Sequence, residues 1–89
     1  MQYLVRVSVN RAKLAEFGQK LQKGELDRSL VRSETYCLKK DPAVGYSVWE
    51  AEDREAFDKV FSTWQNYYSE TEILEVIGPN EAMRLLMEK

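Results

Sequence analysis

The feature that most restricts this chain is its opening run, Tyr3-Leu4-Val5-Arg6-Val7-Ser8-Val9, which alternates with a period of two. Tyr3, Val5, Val7 and Val9 share one face and Leu4, Arg6 and Ser8 the other, so the first element is a strand with one face in a core. The period then changes. Asn10 is placed to cap a helix, Leu14, Phe17 and Leu21 recur at spacings of three and four, and Gly24 supplies a helix end. A half-buried strand followed by an amphipathic helix commits the chain to a helix layered on a sheet.

The rest of the chain continues the pattern. Leu30 to Lys39 is rich in β-formers around Thr35-Tyr36-Cys37-Leu38, Lys40-Asp41-Pro42 is turn chemistry, and Ala43 to Ala51 resumes an extended pattern, which predicts a hairpin. In the second of these runs Val44, Tyr46 and Val48 face one way and Gly45, Ser47 and Trp49 the other. Asp53 is a candidate cap for a second helix, Arg54 to Tyr68, where Phe57, Val60, Phe61 and Trp64 fall at helical spacing. A fourth strand is predicted around Glu72 to Ile77, stopped by Gly78-Pro79, and a short helix from Asn80 to Met87 carries Met83, Leu86 and Met87 on one side.

This order, β-α-β-β-α-β plus a tail helix, is the ferredoxin-like α+β arrangement, with both helices on one face of a four-stranded antiparallel sheet. The other face is left open, and on this reading it carries Leu4, Arg6, Ser8, Ser47 and Trp49. All 89 residues fall in one domain, 1–89. A chain this short buries only about 60–65% of its unfolded surface, so a homo-oligomer that pairs the open faces is expected.

Composition narrows the function classes. The chain has no histidine, so a serine or cysteine nucleophile lacks an imidazole base, a haem lacks its usual ligand, and zinc would have one cysteine and carboxylates. No metal site and no cofactor are expected. The net charge of −2 divides unevenly: residues 1–40 hold nine Lys/Arg against four Asp/Glu, or +5, and residues 41–89 hold four against eleven, or −7. A fold that interleaves the halves neutralises them; the alternative is a basic patch for an anionic ligand. Nucleic-acid binding through the sheet calls for paired exposed aromatics on a basic surface, which Trp49 and Arg6 alone do not make. With one cysteine, no long apolar stretch and no signal-peptide core, the chain is expected to be cytoplasmic, with no membrane partner.

The segment Gly45-Tyr46-Ser47-Val48-Trp49-Glu50-Ala51-Glu52-Asp53-Arg54-Glu55-Ala56-Phe57, set in this order of elements, resembles the dimeric α/β barrel superfamily, which includes antibiotic-biosynthesis-type monooxygenases and muconolactone isomerases. The resemblance implies two ferredoxin-like subunits paired through their sheets, each with a ligand cleft between sheet and helices. Many monooxygenase-like members carry a histidine three residues after the phenylalanine of the Ala-Phe pair. Here that position is Val60, so the resemblance transfers architecture and no catalytic residue.

The candidate site is aromatic. Phe57, Val60 and Phe61 are core positions, whereas Tyr46, Trp64, Tyr67 and Tyr68 are candidates to wall a pocket for a small apolar or aromatic ligand, with Gly18 leaving space opposite them. Arg6, Ser47 and Trp49 are the candidate dimer-interface or sheet-face residues. Arg6 is expected to meet Trp49 and either a carboxylate such as Glu34 or an anionic ligand, or to serve as an intersubunit ion pair. Cys37 is expected as a buried structural thiol, and Glu50, in the acidic turn with Glu52, Asp53 and Glu55, is the first carboxylate to weigh for acid–base work. Two function classes stay open: a cofactor-independent enzyme acting on a small aromatic or apolar substrate, and a non-catalytic ligand-sensing or assembly module working through a homodimer interface.

Overall fold

In the computed structural model, which describes residues 1–88, the alternating run forms β1 (Gln2–Val9), with Tyr3, Val5 and Val7 buried and Leu4, Arg6 and Ser8 half-buried. Asn10 Oδ1 accepts from the Ala12 amide at 3.0 Å and opens a single 3-10 turn, Arg11–Lys13, that leads into α1 (Leu14–Gln22). Gly24 closes that helix at φ +67°, a conformation a side chain disfavours. The Glu25 amide returns to the Lys20 carbonyl at 3.0 Å and the Gly24 amide to that of Leu21 at 3.2 Å, the paired bonds of a Schellman ending.

The remaining elements are β2 (Tyr36–Leu38), β3 (Asp41–Glu50), α2 (Arg54–Gln65), β4 (Tyr68–Val76) and α3 (Pro79–Met87). The four strands form one antiparallel sheet in the order β2-β3-β1-β4, so the ferredoxin-like order read from the sequence is the observed one. Asp53 caps α2 through Oδ1, which accepts from the Ala56 amide at 2.8 Å. Phe57, Phe61 and Trp64, one turn apart, then sink into the core with Tyr3, Val5, Val7 and Trp49. Burying each of these large side chains contributes roughly 1.5–3 kcal/mol, which makes this interlayer cluster the main stabilising feature.

Pairing across the sheet corrects one expectation. Tyr3 lies opposite Trp49, Val5 opposite Ser47 and Val7 opposite Gly45, so Ser47 and Trp49 belong to the helix-covered face and not, with Arg6, to the open one. Trp49 is 2% exposed, and its ring meets Phe57, Phe61 and Trp64 edge-on at 5.5–5.6 Å. The open face instead carries Val44, Tyr46 and Val48 beside Ser8, Arg6 and Leu4, with Leu74 and Glu72 beyond them on β4. Arg6 therefore cannot reach Trp49. Its Nε donates to the Tyr46 hydroxyl at 3.2 Å, and Tyr36 extends the same row at the sheet edge.

Three boundaries also differ from expectation. The predicted strand from Leu30 to Lys39 is broken: only Tyr36–Leu38 is regular, while Leu30 and Arg32 hold to β3 through the bonds from the Glu50 amide to the Leu30 carbonyl and from the Arg32 amide to the Val48 carbonyl, each 2.8 Å. Ser33 Oγ accepts from the Val48 amide at 2.9 Å, so a side chain substitutes for a backbone carbonyl where the strand bulges away. Pro42 lies inside β3 because the hairpin turn is confined to Lys39-Lys40, with Leu38 opposite Asp41. β4 begins at Tyr68 because α2 ends at Gln65 and the Tyr67 carbonyl is taken by the Asn10 amide at 2.8 Å.

α3 buries none of its residues, and Ile77, Met83, Leu85, Leu86 and Met87 are 44–77% exposed. The radius of gyration is 14.7 Å, against roughly 12 Å for a compact chain of this length, and the long axis spans 50 Å. Among the described residues, no helix is long and apolar enough to cross a membrane.

Candidate functional site

A cavity of about 500 Å³ opens between the sheet and the helices. Its sheet side is built by Val5 and Val7 of β1 and by Gly45, Ser47 and Trp49 of β3, the set that the strand register turns inward. Phe17 and Leu21 of α1 and Phe61 and Trp64 of α2 face them, because both helices put their apolar positions one turn apart on the sheet side. Tyr68, where β4 begins, also lines the cavity, and its ring stacks with Phe61 at 6.0 Å and meets Phe17 edge-on at 5.7 Å. Arg28, Glu34 and Thr35, all exposed, border the cavity on the irregular segment before β2.

The bulged segment borders this opening. A Cβ on Gly45 would stand 3.1 Å from Thr35 Cγ2 and 3.6 Å from Cys37 Sγ, so the bare backbone of β3 lets that segment cross it closely. The segment is tied down from the helix side by Trp64 Nε1, which donates to the Asp27 carbonyl at 2.9 Å, and by Leu26, which is buried in the core.

The residues named from the sequence are not all brought together. Trp64 and Tyr68 line the cavity; Tyr46, Tyr67 and Gly18 do not. Tyr46 is on the open face with Arg6. Tyr67 is buried next to the cavity, its hydroxyl donating to Glu16 Oε2 at 3.0 Å and its ring packed on Phe17 at 5.2 Å. Gly18 is exposed, and a Cβ there would meet nothing within 4 Å, so its missing side chain shapes no cavity. Cys37, expected to be buried, is exposed and borders the cavity. Glu50 lies at the exposed strand end, where its Oε1 accepts from Arg32 Nε at 3.2 Å, away from the cavity.

Sequence reasoning missed Phe17, Leu21, Val31, Thr35, Cys37, Gly45, Ser47 and Trp49 as lining residues. The only signal that would have found the β3 members is the register opposite Tyr3, Val5 and Val7. Arg28 and Glu34 bring opposite charges to the border of the cavity, whose other lining residues are uncharged. Burial pushes the Tyr68 phenol well above its usual range, so the hydroxyl stays a protonated donor, and it makes no side-chain hydrogen bond among the described residues. Among the described residues, no group of three or more His, Cys, Asp or Glu side chains could hold a metal ion.

No family model and no curated protein matches the chain. Among solved structures, it is similar to the 5-chloro-2-hydroxyhydroquinone dehydrochlorinase from Burkholderia phenoliruptrix AC1100, solved in complex with 2,5-dihydroxybenzoquinone. That match has a TM-score of 0.52 and 12% identity, and covers 91% of this chain and 98% of that one. A crystal structure of an antibiotic biosynthesis monooxygenase aligns at a TM-score of 0.48 and 11% identity, over 86% of this chain and 98% of that one. At 12% identity, the likeness to the dehydrochlorinase is one of fold, and it agrees with the ferredoxin-like architecture.

Proposed function

We propose that the chain binds a small, flat, mostly apolar molecule between its sheet and helices, and that it does so as a homodimer paired through the open sheet face. The aromatic-walled cavity of about 500 Å³ carries this reading. Small-molecule sites span roughly 300–1,000 Å³ and combine apolar walls with a few polar groups, which is the balance seen here. The dehydrochlorinase of similar fold holds 2,5-dihydroxybenzoquinone, a planar ring small enough for a space of this size.

In the enzyme form of this reading the substrate is a small aromatic or apolar compound, no cofactor takes part, and the protein supplies enclosure, orientation and the protonated Tyr68 hydroxyl. In the second form, the cavity serves a non-catalytic ligand-sensing or assembly module. In either form, the exposed apolar residues of α3 and Leu74 on the open face offer a second copy of the chain a surface to bury.

Thermal unfolding with 1-tetralone as the probe tests the reading. A ligand that binds only the folded chain stabilises it by about 1.4 kcal/mol at ten times its Kd, which raises Tm by several degrees in a domain this small. Deleting the Trp64 side chain would cost roughly 3–5 kcal/mol of core, so Ala43→Leu, which fills the cavity from β3, is the better blocking variant. Ala43→Leu is expected to lose the shift and Glu50→Gln to keep it. No shift in the wild type, or equal loss in both variants, refutes the cavity as the site.

A further inference from the structure

Few polar groups face the cavity, and one of them is only half used. Ser47 lies on the helix-covered face of β3, opposite Val5, and lines the cavity. Trp49, two residues on and on the same face, donates from Nε1 to Ser47 Oγ at 2.9 Å. That bond occupies one lone pair of the hydroxyl, while the hydroxyl's own proton meets no acceptor among the described residues. The indole cannot turn away, because it is 2% exposed and held among Phe57, Phe61 and Trp64. Accepting a hydrogen bond also polarises an O–H and strengthens it as a donor. The other indole bordering the cavity has its N–H committed to the Asp27 carbonyl.

We propose that Ser47 selects the polarity of the bound molecule: its hydroxyl, oriented by Trp49, donates to a carbonyl-type acceptor oxygen on the ligand's ring system. This rests on the cavity being the binding site. An all-hydrocarbon ring would displace the water that otherwise satisfies the hydroxyl and give nothing back, so the site discriminates against it. Ser47 thus acts inside the subunit, on the face opposite the one where the sequence suggested a subunit contact.

The matched probes 1-tetralone and tetralin share a bicyclic frame and differ by one carbonyl. Each is titrated into ¹⁵N-labelled protein while the indole N–H resonances of Trp49 and Trp64 report both affinity and location. The ratio of tetralone to tetralin affinity is expected to fall roughly tenfold in Ser47→Ala and to be retained in Ser47→Thr, which keeps the hydroxyl. Should the alanine variant fail to fold, Ser47→Cys, close in size and a poor donor, carries the same comparison. An unchanged ratio in the variant that removes the hydroxyl overturns the role of Ser47 and leaves the cavity as the site. If neither probe moves either indole resonance in the wild type, the cavity reading falls, and the role of Ser47 falls with it.

Discussion

Tyr3, Tyr67 and Tyr68 keep their protons above the usual phenol range, in each case first because burial disfavours the phenolate. The charge of Glu75 adds to this at Tyr3, and the hydrogen bond to Glu16 adds to it at Tyr67. The unfolded chain releases these protons near pH 10, whereas the folded chain holds them. Above that pH the unfolded state therefore binds fewer protons, and stability falls as pH rises. An alkaline titration followed by phenolate absorbance and circular dichroism should show three tyrosines ionising only as the fold is lost; their ionisation with the dichroism unchanged would contradict the packing described. The same scale explains what could be read of the site. Trp64 was legible because helical spacing alone aims it at the sheet. Ser47 and Trp49 were not, because Val44, Tyr46 and Val48 form an equally apolar alternate set on β3, and only pairing with Tyr3 and Val5 decides which set turns inward. Gly18 misled because Phe17 and Leu21 alone define the inward side of α1, leaving Leu14 54% exposed.

The elements were most legible where a periodic run met a chemical stop. β1, the Asp53 cap of α2 and the Gly24 end of α1 all follow from local chemistry. The broken strand before β2 does not, since its β-formers specify extended backbone without saying where the ladder must open. That opening depends on long-range facts, namely the bare Gly45 backbone and the reach of Ser33 to Val48. Ser33→Ala is expected to leave the Val48 amide without its acceptor, at a cost of about 1 kcal/mol. Hydrogen exchange should then quicken at Val48 and stay slow at Val5 in the centre of the sheet. Unchanged protection at Val48 would mean that backbone pairing, and not the serine, holds the bulged segment.

The whole molecule has one well-packed face and one unfinished one. Leu74, beside Leu4 on the open face, is 47% exposed, and α3 adds Leu86 at 71%. In the proposed homodimer these residues are covered, so the chain is expected to sediment as a dimer at micromolar concentration and Leu74→Glu as a monomer. A wild-type chain that sediments as a monomer at that concentration would rule the pairing out. The bulged segment has a different consequence at the outer margin of the sheet. An exposed edge strand is a template on which further strands can add, and β2 presents only Tyr36–Leu38 in regular form, because the residues before it leave the ladder. The irregularity that borders the cavity therefore also shortens the template. A passing strand finds three regular residues to pair with at this margin, so the segment bordering the cavity guards that edge alone, while β4 leaves the opposite edge nine residues long.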